Sequence, residues 1–542
     1  MGRRLVAATL LAESDTNWVT RRIWYMVGGV RCGALAVVSL DQNSRLREVN
    51  HPDMLAPTMT SVPSSLGLSL ASAVVAVACY ADLPGPDLNS PPSIEILSPV
   101  QGAVVNTGDT VRIVAQVTDP DGSVADVRFF VDGARRDTDV SPPYEFSWNT
   151  SDVVTRDHEI VIVACDDHGA VSDAAVQIRV DWVYQQPEQA QDGWTTASLH
   201  GSDVDLEPIR RLMERLRSLP DTLVHGVLIV KDGKLVLEEY FKGRRYTNPE
   251  SEPTAPIIRF NRETTHNIAS ITKTVTSALL GIAIDRGIID SVEQRAADFF
   301  PEVDAFDSED KNSITLEHLV TMSSGLQWDQ RTYHLLDPRN DIVPFYSAAD
   351  PVSFYVGRPL VSNPGSTFVY SDASINVVAR AIERASGMLI DRFARQYLFD
   401  PLGVGTAKWL TIRDGFVWAS GNLEVTPRTM AKIGQLFLDG GIWNGERIIS
   451  EEWVDRSTSP YHSVDQGWNY GYWNYGYGYA WWLVGFDRQS VRCFSGAGLG
   501  GQQIYVFPEQ NAVVVLTGGH YWIPAITEPE HIMDQYIVPA LQ

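Results

Sequence analysis

The feature that most constrains the fold is the distribution of strand patterns over residues 194–542. A predicted amphipathic helix near 205–218 opens this region, and its long middle part, to about Trp453, is mostly helix and loop. Strand patterns lie at both of its ends, at 226–241 (a hairpin with Asp-Gly in the turn), 477–484, 503–507 and 512–516. Strands from both ends must pair in one antiparallel sheet, so we expect an α+β domain in which helices flank the sheet and a helical subdomain is inserted.

Residues 91–181 show a different pattern, with short alternating runs separated by turn clusters. The predicted strands are Ser93–Leu97, Thr110–Thr118, Val124–Val131, Tyr144–Trp148, His158–Cys165 and Ala174–Val180. Their spacing predicts an all-β sandwich. Three phrases resemble the bacterial immunoglobulin-like modules found on secreted enzymes: Ile96–Gly102, Phe129–Gly133 and Pro143–Asn149.

The chain is therefore expected to be multi-domain, as its length of 542 residues also suggests. The predicted segments are an N-terminal extension with a tether (1–90), the immunoglobulin-like sandwich (91–181), a polar linker (182–193) and the α+β domain (194–542).

An apolar run from Leu66 to Cys79 resembles a targeting signal. It is too short to span a bilayer but suits the apolar core of a secretory signal, and its ending Ala-Val-Ala-Cys79 resembles a bacterial lipoprotein cleavage box. We expect an exported protein, which is periplasmic, anchored to the outer membrane through a lipidated Cys79, or extracellular. A buried strand or helix is the alternative. Residues 1–53 show no coherent pattern, and Met54 or Met59 is an alternative start.

Composition excludes several classes of function. The net charge of −24 argues against nucleic acid and anionic membrane surfaces as partners, because both require basic patches. The four cysteines are scattered and form no zinc pattern, and no Gly-rich phosphate loop or dinucleotide fingerprint occurs in the required context. We therefore expect neither a metal nor a cofactor.

Ser270-Ile-Thr-Lys273 places a nucleophile and a base one turn apart at the start of an apolar helix. A serine hydroxyl needs an adjacent base, and a lysine serves when it is neutral. An apolar setting and the positive end of a helix dipole lower the pKa of a lysine, so we expect Lys273 to be that base. The chain has a second Ser-x-x-Lys, Ser308 to Lys311, in a polar run that is typical of a solvated loop.

Five phrases in order resemble the serine β-lactamase and penicillin-binding-protein superfamily, in its class C-like branch of esterases, D-peptidases and 6-aminohexanoate-dimer hydrolases. They are Ser270–Lys273, Ile314–Gly325, Pro364–Asp372, Thr426–Gly440 and Gly496–Gln502. The resemblance implies that Tyr370 shares the proton transfer with Lys273. It also implies that the backbone N–H groups of Ser270 and Leu499 form the oxyanion hole. Asp372 stands where the lactamases have asparagine, and it either pairs with Lys273 or binds substrate.

The resemblance also bears on the substrate. Gly496 and Gly498 fall on an edge-strand element that is Lys-Thr-Gly in most lactamases, and Gly496 lacks the cation that holds the carboxylate of a β-lactam or a D-Ala peptide. Trp473, in a loop that precedes a strand, and Trp328 are candidate walls of an acyl pocket. Aromatic walls suit uncharged substrates with apolar bodies.

These observations predict a serine hydrolase that cleaves a small-molecule or oligomeric amide or ester through an acyl-enzyme on Ser270. Two alternatives stay open: a β-lactamase or D-Ala-D-Ala carboxypeptidase, and a non-catalytic binding protein of the penicillin-receptor type.

Overall fold

The structure is a computed structural model that describes residues 18–27, 30–40, 70–71, 89–151, 153–219, 223–245, 255–413, 415–463, 473–486, 489–519 and 528–542. The chain forms two compact units, 1–88 and 89–542. In the first unit, strands β1 (Trp18–Val27) and β2 (Val30–Leu40) pair antiparallel, and β3 (Leu70–Ala71) pairs with the end of β2. The predicted lipidation site Cys79 lies outside the described residues.

The immunoglobulin-like module is a sandwich of two sheets, as the sequence predicts. Its strands are β4 (Ser93–Ser98), β5 (Val104–Asn106), β6 (Thr110–Thr118), β7 (Val124–Val131), β8 (Ala134–Asp139), β9 (Tyr144–Asn149), β10 (Asp157–Asp166) and β11 (Val171–Asp181). One sheet has the order β4-β6-β9 and the other β5-β11-β10-β7-β8. The alternating inward residues of both sheets, such as Ile113, Phe129 and Ile160, are fully buried between them. Sequence patterns missed β5 and β8, because β5 has only three residues and the edge strand β8 is polar on both faces.

The second domain is built on an eight-stranded sheet of order β12-β14-β13-β28-β27-β26-β25-β24. Its strands are β12 (Thr195–Thr196), β13 (Val224–Lys231), β14 (Lys234–Tyr240), β24 (Trp473–Tyr477), β25 (Trp482–Phe486), β26 (Val491–Gly498), β27 (Gln502–Phe507) and β28 (Ala512–Gly518). The N-terminal hairpin strand β13 pairs antiparallel with the last strand β28. The two ends of the domain therefore meet in one sheet, which confirms the expected α+β architecture.

One expectation about this sheet is wrong, and a second holds for part of a strand. The predicted strand 477–484 is in fact the end of β24, a turn and the start of β25. The turn is anchored because Tyr479 N donates to Ser457 O over 3.0 Å. Strand β26 lies between β25 and β27, but β25 pairs with it only from Val491 to Ser495. Gly496 to Gly498 pair with β27 alone among the described residues, so the predicted edge element is open on its other side.

Helices cover this sheet and form the inserted subdomain. They are α1 (Leu206–Arg217), α2 (Ile271–Asp285), α3 (Glu309–Asn312), α4 (Leu316–Val320), α5 (Ile342–Ser347), α6 (Pro351–Val356), α7 (Asp372–Ser386), α8 (Ile390–Ala394), α9 (Pro427–Leu438), α10 (Glu451–Ser457), α11 (Glu528–Ile532) and α12 (Val538–Ala540). Short 3₁₀ and π-helical turns occur at Ala296–Phe299, Asp304–Phe306, Arg395–Phe399 and Met533–Ile537. Helix α2 is buried from Ile271 to Ala283 and packs against α7, and this pair places the candidate site.

Short strands complete the domain. They are β15 (Lys242–Arg244), β16 (Ile257–Arg259), β17 (His266–Asn267), β18 (Ala407–Trp409), β19 (Thr411–Arg413), β20 (Phe416–Val417), β21 (Leu423–Val425), β22 (Ile442–Trp443) and β23 (Glu446–Arg447). Strand β17 pairs with β21 and leads directly into the residues before Ser270.

The predicted linker, 182–193, lies along the second domain. The Tyr184 hydroxyl donates to the Val236 carbonyl over 2.8 Å, and Arg428 donates to the Asp192 carboxylate over 2.9 Å. Its aromatic side chains supply apolar contacts that the polar composition of the segment did not suggest. The domain boundaries themselves stay predictions. No helix among the described residues combines the length and apolarity needed to cross a membrane.

Candidate active site

Ser270 stands at the start of the buried helix α2. The residue before it, Ala269, has a φ of 47°, a left-handed conformation that is uncommon for a residue with a side chain. The Asn267 side chain accepts a hydrogen bond from Ala269 N over 2.9 Å and so holds this turn. The Ser270 side chain makes no capping hydrogen bond to the helix. Its hydroxyl is thus available to a partner other than the backbone.

That partner is Lys273, one turn further along α2, as the sequence predicts. The Lys273 side chain is fully buried, and its Nζ lies 3.0 Å from Ser270 Oγ. Nζ also donates to the Ser420 carbonyl over 2.8 Å and lies 2.8 Å from Asp372 Oδ1. An ammonium group has three protons, and oxygen atoms of Ser270, Ser420 and Asp372 lie within hydrogen-bond distance of this one.

The charge state of Lys273 differs from the sequence expectation. Burial lowers its pKa, but the negative charge of Asp372 and the phenol of Tyr370 raise it, and the net direction is upward from the ordinary value. The expectation of a lowered pKa considered the apolar helix alone. It is wrong because a buried carboxylate faces the amine. Lys273 is therefore a cation in the resting protein.

Asp372 is the first residue of α7 and faces α2. The sequence left two roles open for it, and the structure favours pairing with Lys273. Gln330 fixes the carboxylate from the other side: its Nε2 donates to Asp372 Oδ1 over 3.0 Å, and its Oε1 accepts from Asp372 N over 2.7 Å. With a side-chain exposure of 9%, Asp372 is a buried carboxylate whose charge Lys273 neutralises.

Tyr370 lies beside the same ammonium group. Lys273 Nζ is 4.9 Å from the centre of its ring, and the phenol contributes to the raised pKa of Lys273. The Tyr370 ring stacks on Trp482 of β25 with centroids 5.9 Å apart. Its position follows from the helix start, because the next residue, Ser371, caps α7 by accepting from Ser374 N. The structure thus brings Ser270, Lys273, Tyr370 and Asp372 together.

The two predicted aromatic walls have different outcomes. Trp328 is buried with an exposure of 7%, and its Nε1 donates to Gln330 Oε1 over 2.6 Å. It therefore supports the residue that holds Asp372. Trp473 is not in a loop but begins strand β24, and its side chain lies outside the described residues.

The sequence did not predict a group of polar residues that lies behind Lys273. Ser420 gives its carbonyl to Lys273, and its hydroxyl lies 3.0 Å from each of Tyr346 Oη, Asn376 Nδ2 and Trp418 Nε1. The spacing of Asn376, four residues after Asp372 on α7, is a signal that could have found it. Ser420 and Gln330 come from loops, and no local pattern marks them.

The predicted oxyanion element lies directly against the start of α2. A Cβ added to Gly498 would be 2.3 Å from the Ile268 carbonyl oxygen, so only glycine allows this approach of β26. A Cβ on Gly496 would be 3.3 Å from Thr274 Oγ1, which places this position against the first turn of the helix. Leu499 follows in the turn after β26 and is half exposed. The roles of the Ser270 and Leu499 N–H groups stay predictions.

Another cation on β26 is not placed to replace the family cation that Gly496 lacks. Arg492 is on β26, but its guanidinium lies 5.2 Å from the centre of the Tyr475 ring. It is four residues from Gly496, about 13 Å along a strand. Within the described residues, no group of three or more His, Cys, Asp or Glu side chains is arranged to hold a metal ion.

Comparison with known proteins places this site in a family. Residues 210–518 match the Beta-lactamase family, and residues 92–162 match the Bacterial Ig domain family. The 6-aminohexanoate-dimer hydrolase of Paenarthrobacter ureafaciens is 26% identical over 330 residues, which cover 57% of this chain and 78% of that protein.

Two further relatives are more distant. The monacolin J acid methylbutanoyltransferase of Aspergillus terreus is 25% identical over 201 residues, which cover 33% of this chain and 46% of that protein. The solved structure of a candidate 6-aminohexanoate-dimer hydrolase from Bacillus anthracis is 20% identical, with a TM-score of 0.48, and the match covers 66% of this chain and 87% of that one. Because the Beta-lactamase match spans more than half of the 542 residues, the chain belongs to the Beta-lactamase family, as a serine hydrolase with a bacterial immunoglobulin-like domain on its N-terminal side.

Proposed function

We propose that the protein cleaves an amide or ester bond through an acyl-enzyme on Ser270. The observation that carries this proposal is the contact of Ser270 Oγ with a buried ammonium group that is itself held by Asp372 and Ser420. Such fixed geometry around a serine hydroxyl is what nucleophilic catalysis requires.

The charge on Lys273 decides how the proton moves. A protonated amine cannot accept the serine proton, so Tyr370 is the proposed base, and its oxygen takes the proton while Ser270 Oγ bonds to the carbonyl carbon. The Lys273 cation stabilises the negative charge on the tyrosine oxygen. Tyr370 then returns the proton to the leaving amine or alcohol, and a water molecule releases the acyl group in the same way. In this proposal the carbonyl oxygen of the substrate accepts hydrogen bonds from the backbone N–H groups of Ser270 and Leu499, which form the oxyanion hole.

We further propose that the substrate is a neutral acyl ester or a linear amide. The named activities of the relatives, hydrolysis of 6-aminohexanoate dimer and transfer of a methylbutanoyl group, both involve acyl groups that are not β-lactams. Gly496 provides no cation for a substrate carboxylate, and Arg492 on the same strand faces Tyr475. These features favour a linear amidase or esterase over a β-lactamase or a D-Ala carboxypeptidase.

Export is a separate proposal that is supported by the sequence alone. The run Leu66–Cys79 suits a secretory signal, and lipidation at Cys79 would tether the enzyme to a membrane. Labelling cells with a radioactive fatty acid and comparing the wild-type chain with Cys79→Ala tests the tether, because only the wild type is expected to incorporate label.

A fluorophosphonate probe tests the catalytic proposal. We expect stoichiometric labelling of Ser270, located by peptide mass spectrometry, and hydrolysis of nitrophenyl esters or linear amides well above that of nitrocefin and D-Ala peptides. Labelling at another serine, or none, would contradict the nucleophile. A protein that binds penicillin without turning over any member of this panel would support the binding-protein alternative.

A further inference from the structure

A cavity of about 280 Å³ lies between the immunoglobulin-like module and the hydrolase domain. The two domains make direct contact here, because Thr155 of the module donates from its backbone and its hydroxyl to the Arg217 and Glu214 carbonyls at the end of α1, over 3.3 and 3.1 Å. None of the residues that line this cavity belongs to the site around Ser270. The cavity is thus distinct from that site, and residues of both domains form it.

The charge of its lining is opposite to that of the protein. Four basic residues line it: Arg136 from the module and Arg217, Lys242 and Arg259 from the hydrolase domain. Among the described lining residues, Asp132 is the only acidic one. Its carboxylate already binds Arg156 and His158, each over 2.8 Å. The predominance of basic over acidic residues in this lining, in a chain with net charge −24, indicates a place for an anion.

Some of these basic residues already have a carboxylate partner, and others have none. Arg217 pairs with Glu239 over 2.5 Å and lies above the Phe241 ring at 5.4 Å, so its position is fixed. Arg136 and Lys242 are exposed and have no carboxylate partner among the described residues. They come from opposite domains and remain available to bind a ligand between them.

The lining also has an apolar part. Leu219 of the hydrolase domain, which is 44% exposed, and the accessible edges of the Trp148 and Phe241 rings contribute to it from the two domains. Apolar rings with a few convergent charged groups are the usual composition of a small-molecule site. A simple inorganic ion would use only the cations and leave the rings without contact.

From these observations we propose that this interdomain cavity binds a small organic anion, with a carboxylate near Arg136 and Lys242 and an apolar body against Trp148 and Phe241. The site joins the two domains, so the bound anion also stabilises their contact. The proposal does not rest on the proposed catalytic function, because it concerns a different cavity.

Isothermal titration calorimetry of the full chain with naphthalene-2-carboxylate tests the proposal. We expect binding with a Kd below about 1 mM, at least tenfold weaker binding of the neutral 2-naphthamide, and at least tenfold weaker binding of inorganic phosphate. Absence of carboxylate binding at about 1 mM would overturn the proposal. Equal affinity for the amide would show an apolar pocket only, and equal affinity for phosphate would show an unspecific anion site, so both results would also overturn it.

Charge reversal locates the binding. The double variant Arg136→Glu with Lys242→Glu is expected to weaken naphthalene-2-carboxylate binding more than tenfold while circular dichroism and ester hydrolysis stay unchanged. Arg135→Glu is the matched control, since Arg135 is the exposed neighbour on β8 and does not line the cavity. Unchanged affinity in the double variant would place the probe elsewhere, including the catalytic site, and would overturn the assignment.

Discussion

The chain contains the same short motif twice, in two regions with opposite outcomes. Ser270 and Lys273 open the buried helix α2, and Ser308 and Lys311 open the short helix α3. In the first pair the lysine contacts its serine and is buried, with Asp372 and Ser420 around it. In the second, Lys311 Nζ instead donates to the Val356 carbonyl over 2.7 Å.

The difference shows that spacing brings two groups within reach but does not make them reactive. Ser308 has extended backbone angles and Lys311 turns away to a carbonyl, whereas Ser270 has helical angles that point its hydroxyl along the turn towards Lys273. A second element, α7, then supplies Asp372 and follows Tyr370. Reactivity therefore depends on tertiary contacts that the four-residue motif does not contain.

The largest expected effect tests the difference between the two serines. Ser270→Ala is expected to lower kcat on a nitrophenyl ester by about 10⁶-fold with little change in stability, because the acyl-enzyme cannot form. Ser308→Ala is the matched control and is expected to leave kcat unchanged. Steady-state kinetics measures kcat of both variants, and thermal unfolding measures their stability. Activity above a few per cent in Ser270→Ala would contradict the assignment of the nucleophile.

The next effect removes the carboxylate that distinguishes Lys273 from Lys311. Asp372→Asn is expected to lower kcat/KM roughly a hundredfold, because it leaves the buried ammonium group without its counter-charge. The same change also removes the main influence that raises the pKa of Lys273. Lysine is charged below its pKa, so the alkaline limb of the pH–rate profile should move to lower pH. Lys311→Met is the control and should leave the pH–rate profile unchanged. An unchanged alkaline limb in Asp372→Asn would show that the charge on Lys273 does not control the rate.

A smaller effect is expected at Gln330, which contacts Asp372 but not Lys273 in the described hydrogen bonds. Gln330→Ala removes one hydrogen bond from the Asp372 carboxylate and one from its N–H, and we expect kcat to fall about tenfold. The measurement is a kcat and KM pair with the pH profile. A positioning role lowers kcat, keeps KM and partly shifts the alkaline limb, and Gln330→Glu should not restore the wild-type profile. A change in KM alone would instead mean that Gln330 contacts the substrate.

The sequence was informative wherever the signal was local. The Asp-Gly turn of the β13–β14 hairpin, with φ of 51° at Asp232 and 71° at Gly233, and the caps of α1 at Asp205 and Ser218 are properties of a few adjacent residues. The pairing of the domain's two ends also followed, because exposed strands at both ends must pair with each other.

The contacts that set the charge of Lys273 could not be predicted from local sequence patterns. Asp372 meets Gln330 across 42 positions, and Lys273 meets the Ser420 carbonyl across 147. Both contacts arise from the packing of loops on α2 and α7, and neither residue type is unusual where it stands. The direction of the pKa of Lys273 was predicted wrongly for this reason, although the residue itself was identified.

The smallest expected effect concerns the substrate and tests what Gly496 leaves out. Gly496→Lys places an ammonium group on β26 beside the start of α2, so acylation by nitrocefin should rise relative to ester hydrolysis by about tenfold or less. The gain is limited because the new Cβ lies 3.3 Å from Thr274 Oγ1 and 3.4 Å from Ile271 Cγ2, and the first turn of α2 must adjust. Gly496→Met is the matched control, with similar length and no charge, and should show only the loss caused by crowding. If Met and Lys change the ratio equally, the effect is steric. If the wild type already hydrolyses nitrocefin as fast as its best ester, the absence of a cation at this position does not set the specificity.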